Sequence, residues 1–129
     1  MDRKFLVAAI LVTILLSAAS SVFAAGKAIT AVAAEGQTPA ALVSTLAARS
    51  PYFLLFAENG DLVEVVANPH KQAAGGAGPQ VAEFLAAKGV KTVIAGEFGT
   101  KMAGAMKAKG IASRIATGSA AEAAKTGGR

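Results

Sequence analysis

Pro51-Tyr-Phe-Leu-Leu-Phe-Ala57, then Glu58-Asn-Gly-Asp61, then Leu62-Val-Glu-Val-Val-Ala67 is the stretch whose reading decides the fold. Two apolar runs of strand length flank an Asn-Gly pair, and Asn-Gly tolerates the positive φ angles that a tight antiparallel turn demands. The stretch predicts a β-hairpin. Working outward, Lys27 to Ala33 is a short apolar run ending at Glu35-Gly36, and it reads as a first strand. Between that strand and the hairpin, Thr38 as N-cap with Pro39 at the first helical position predicts a short helix carrying Leu42, Val43 and Leu46 on one face.

Downstream the period changes. Pro79 opens a helix whose Val81, Phe84 and Leu85 share a face and which Gly89 stops. Lys91 to Ala95 is a compact buried strand closed by Gly96, Thr100 to Lys109 is a helix ending at Gly110, and Ile111 to Ala116 is a last strand. Ser119 and Glu122 have capping-box spacing for a final Ala-rich helix that runs into a polar tail. A hairpin followed by β-α-β-α-β units requires a mixed sheet of five strands, antiparallel at the hairpin and parallel beyond it, with helices on its faces. The fold class is α/β.

At the N-terminus, Arg3 and Lys4 precede an uncharged run from Phe5 to Gly26, and Val22-Phe23-Ala24 supplies the small residues a signal peptidase accepts. Residues 1–24 read as a secretory signal cleaved near Ala24; an uncleaved membrane anchor is the alternative, since about 20 apolar residues suffice to span a bilayer. Residues 25–129 then form one domain of ordinary size. The mean hydropathy of +0.50 is inflated by the leader. Losing Asp2, Arg3 and Lys4 lowers the formal charge by one from +5, which leaves a mildly basic surface suited to an anionic ligand. With no Lys/Arg run interleaved with aromatics, nucleic acid is not the expected partner. The chain has no cysteine, so it has neither disulfides nor thiolate ligands.

The stretch richest in chemistry is Asn68-Pro-His-Lys-Gln-Ala-Ala-Gly-Gly-Ala-Gly-Pro-Gln80. Gly75, Gly76 and Gly78 permit a backbone that turns N–H groups inward, and the helix behind them adds its own N–H groups and positive dipole end. This is either an anion cradle or merely a tight strand-to-helix connection. His70 and Lys71 lie beside it, His70 being the sole histidine. By itself it is either a surface imidazole or a metal ligand. Met102 and Met106, one helical turn apart, could offer thioethers to copper but have the spacing of core residues. No Ser-His-Asp or Cys-His set can be assembled. Glu97 is the most notable carboxylate because it follows a strand end.

In order and spacing, Arg49-Ser-Pro-Tyr-Phe-Leu-Leu-Phe56, Glu58-Asn-Gly-Asp61, Asn68-Pro69, Gly75-Gly-Ala-Gly-Pro-Gln80, Gly89-Val90, Gly96, Gly99 and Gly110-Ile111 resemble the dinitrogenase iron-molybdenum cofactor-binding family. The resemblance spans nearly all of residues 25–129. It implies a ribonuclease-H-like motif and noncovalent binding or carriage of an anionic metal-sulfur cluster, iron-molybdenum or related, without catalysis. It also implies a site of Arg49, His70, Lys71, Gly75, Gly76 and Gly78, with His70 as the metal ligand. Where the family often has His-Phe-Gly-Arg, this chain has Leu46-Ala-Ala-Arg49, so only the arginine remains. The leader implies a periplasmic or secreted protein, which sits poorly with cytoplasmic assembly of oxygen-sensitive clusters. The alternative function is a ligand-free interaction module of the cell envelope with a protein partner. A hydrolase is not supported, because no acidic cluster for two-metal chemistry is visible.

Overall fold

The computed structural model of the protein describes residues 28–127. The proposed leader, residues 1–24, lies outside them. Five strands, β1 (Thr30–Ala34), β2 (Tyr52–Phe56), β3 (Leu62–Ala67), β4 (Thr92–Ala95) and β5 (Ala112–Ile115), form one sheet in the order β3-β2-β1-β4-β5. Three helices, α1 (Ala77–Ala87), α2 (Thr100–Ala108) and α3 (Ala120–Gly127), pack on it. β1 pairs antiparallel with β2 and parallel with β4, β2 pairs antiparallel with β3, and β4 pairs parallel with β5. This is the mixed α/β sheet expected from the sequence. The hairpin turn is where it was expected: Gly60 has φ 94°, and the Asp61 N–H donates to Asn59 Oδ1 at 3.0 Å.

The sheet has two apolar faces because its central strands alternate. Phe53, Leu55, Ala31, Ala33 and Val93 face α1 and α2, where Val81, Leu85, Met102 and Met106 complete one core. Leu54, Phe56, Val32 and Ile94 face α3, which closes the second core with Ala120, Ala123 and Ala124. The alanines of β1 leave room for helices on both faces. Met102 and Met106 are 1% exposed, so the methionine stripe is core.

The helix expected from Thr38 does not form. Thr38 to Ala41 is instead a turn closed by the Ala41 N–H donating to the Thr38 carbonyl at 2.9 Å, as Pro39 in its second position favours. The next residues run extended, because their backbone groups are taken by distant partners: Val43 N–H by Gly118, Ser44 N–H by Ala33, and the Ser44 carbonyl by Gly96 N–H. β-branched Val43 and Thr45 suit that conformation. Leu42 and Leu46, which a helix would have buried, are 63% and 47% exposed. A short 3₁₀ turn, Ala47–Arg49, follows and leads into β2.

Candidate anion-binding cleft

Two helices start side by side where the parallel strands end. Gly76, with φ 70°, makes the left-handed corner that turns the chain into α1. The helix begins at Ala77, so Pro79 falls within the first turn, where its missing N–H is not needed. α2 begins after Gly99, which is extended at φ −69° and ψ 155°. Gly78 brings the two starts together: a Cβ on it would lie 2.8 Å from the Cβ and 3.0 Å from the backbone nitrogen of Met102. Only hydrogen fits there.

First-turn N–H groups have no partner inside their own helix and look for an acceptor. Usually a Ser, Thr, Asp or Asn side chain caps them and an acidic residue offsets the dipole. α1 and α2 have neither: no side chain caps Gly76 or Gly99, and no acid stands in either first turn. Between them lies a cleft of about 290 Å³. Gly76 to Pro79 form one wall, Gly99 to Met102 the second, and Ala48 with Arg49 the third. Arg49 and Lys101 line it and no carboxylate does. The cleft therefore offers hydrogen-bond donors and positive charge and presents no acidic side chain to repel an anion.

The Arg49 wall is tied to the loop before α1. Arg49 Nη1 donates to the carbonyls of Lys71 at 2.9 Å and Ala73 at 2.6 Å. Buried Asn68 donates through Nδ2 to the carbonyls of Ala48 at 2.9 Å and Ser50 at 3.0 Å, and its Oδ1 accepts the His70 N–H at 2.9 Å.

Of the residues expected from the sequence, the structure brings Arg49, Gly76 and Gly78 to the cleft. Gly75 precedes it with open space around it and no positive φ. Lys71 contributes its carbonyl to Arg49, and its ammonium does not line the cleft. His70 lies elsewhere: its ring meets Phe84 edge-on with centroids 6.3 Å apart, and it lines a separate depression with Gln80, Glu83 and Ala87. The exposed side chain of Glu97 does not line the cleft either; its backbone pairs with Thr45 and Ala47. Gly99, Thr100 and Lys101 were not singled out as site residues in the sequence, although Gly99 before a helix carries the same signal as Gly76. Among the described residues no group of three or more His, Cys, Asp or Glu could hold a metal ion. No helix among them is long and apolar enough to cross a membrane.

The sheet order and the cleft define a small α/β domain of the ribonuclease-H-like kind, with an open site at the carboxyl ends of its parallel strands. The profile described as dinitrogenase iron-molybdenum cofactor matches residues 28–126, and the chain belongs to that family. Among solved structures it is similar to the apo form of the orange protein from Desulfovibrio gigas. That likeness is 27% identity over 74% of this chain and 82% of that one, with a TM-score of 0.70. It is also similar to a putative NifB protein from Thermotoga, placed in the DUF35 family, at 33% identity over 77% of this chain and 84% of that one, with a TM-score of 0.63. No curated protein matches the chain.

Proposed function

We propose that the protein is a non-enzymatic carrier that binds an anionic metal-sulfur cluster noncovalently in the cleft between the starts of α1 and α2. The observation that carries this reading is the pairing of two helix starts, both capped by glycine and both without acids, around a cleft lined by Arg49 and Lys101. The family's description, dinitrogenase iron-molybdenum cofactor, supports a metal cluster as cargo, and the likeness to a protein described in its apo form fits a ligand-binding domain.

The donor set decides how the cargo is held. With no cysteine in the chain and no cluster of ligating side chains among the described residues, the metal must arrive already dressed in sulfur or oxygen. Those atoms accept hydrogen bonds from the backbone N–H groups at Ala77, Gly78, Thr100 and Lys101, and the two cations offset the charge. An iron-molybdenum or molybdenum-sulfur cluster has this character. Residues 1–24, read as a secretory leader, support a periplasmic or secreted setting for this work.

The purified protein, mixed anaerobically with tetrathiomolybdate or an iron-sulfur cluster donor and then desalted, is expected to retain metal and a visible chromophore. Loss of both on desalting would contradict the proposal. Intact mass of the protein from its native compartment is expected to show cleavage after Ala24.

A further inference from the structure

The loop that delivers Gly76 is held at two points of unequal strength. Its first residues are anchored by Asn68, which is 7% exposed and spends its amide on the Ala48 and Ser50 carbonyls. Its second half, from Lys71 onward, is held to the 47–49 turn through Arg49 Nη1, whose two hydrogens reach the Lys71 and Ala73 carbonyls at the surface. Ala73 is otherwise tied only locally among the described residues, its N–H donating to the His70 carbonyl at 3.1 Å. Gly75 and Gly76 follow at once, and glycines lose more freedom on ordering than other residues.

We infer that Arg49 is a positioning residue: its guanidinium latches the 71–76 loop onto the 47–49 turn and so sets the Gly76 corner against the start of α2. A cation serving only as counter-charge to an anion would point its donors into the cleft. Arg49 instead commits one guanidinium nitrogen to two backbone carbonyls of the loop. Lys101 lines the opposite wall with no such bond among the described residues, so its whole ammonium is open to an anion, whereas Arg49 keeps only Nε and Nη2 for one. The effect on affinity rests on the reading of the cleft as the binding site; the latch itself needs no ligand.

The two roles separate in a pair of variants that remove the same charge from opposite walls. In ligand-free protein, Arg49→Met is expected to speed amide hydrogen exchange at Lys71 and Ala73, whose N–H groups donate to the Asn68 and His70 carbonyls, about tenfold, the loss of one or two ordinary hydrogen bonds. Lys101→Met leaves that exchange unchanged. Tetrathiomolybdate binding, followed by its visible absorption, weakens in both and more in Arg49→Met. Arg49→Lys, whose ammonium can reach the same carbonyls, recovers part of the protection and part of the affinity. Native exchange in Arg49→Met overturns the latch, as does an equal loss of affinity in both variants without a change in exchange. Faster exchange in Arg49→Met together with no thiomolybdate binding by the native protein upholds the latch and removes the assigned cargo instead.

Discussion

The three helices begin in two different ways. α3 is closed in the usual manner: the Ser119 hydroxyl accepts the Glu122 N–H at 3.3 Å, and Glu122 supplies an acid in the first turn. α1 and α2 begin at glycines with neither device, and they begin next to each other. A side-chain cap contributes about 0.5–2 kcal/mol over alanine, and glycine gives up only a few tenths of that. The molecule thus keeps most of the stability of a capped helix while leaving its first-turn donors for another acceptor. What distinguishes the site from the scaffold is therefore an acceptor withheld rather than a reactive group added.

Substitutions that break this contrast should act in a definite order. Gly78→Ala carries the largest effect, because its Cβ meets the backbone of Met102 and forces the two starts apart. Chemical denaturation is expected to show a loss of about 1–3 kcal/mol, the ordinary cost of overpacking. Ser119→Ala comes next, with a loss of about 1 kcal/mol in the same measurement and unchanged binding of tetrathiomolybdate. Gly99→Asp separates stability from binding. Its backbone is already extended as an N-cap, and its Cβ meets nothing within 4 Å. The new carboxylate is expected to raise stability by a few tenths of a kcal/mol while abolishing anion binding. Gly75→Ala should leave binding unchanged and raise stability by no more than about 0.5 kcal/mol, since the position has open space and no positive φ and alanine has less freedom to lose on ordering.

Local signals carried most of the fold. The hairpin was legible because Asn59-Gly60 and its flanking strands are contiguous, and α3 because Ser119 and Glu122 stand one turn apart. The segment from Thr38 to Leu46 was not, because its conformation is set by partners far along the chain. Ala33, Gly96 and Gly118 take its backbone hydrogen bonds, and Gly96 allows Thr45 to approach to 2.8 Å of where a Cβ would stand. Half of the cleft was legible for the same reason. Gly76 and Gly78 lie in a conspicuous glycine-rich run, whereas Gly99 and Lys101 follow a strand in what resembles an ordinary connection. Sequence proximity did not bring His70 or the Lys71 ammonium to the cleft lining. The loop turns His70 toward Phe84 on another side of α1 and leaves only the Lys71 carbonyl facing Arg49.

The cleft's role as the binding site stands or falls on where an anionic thiometallate touches the backbone. In a ¹⁵N-resolved NMR titration with tetrathiomolybdate, the amides of Ala77, Gly78, Thr100 and Lys101 are expected to shift together and saturate, with Ser119 to Glu122 unmoved. Saturable shifts centred on His70 and Phe84, or none at the starts of α1 and α2, would contradict it.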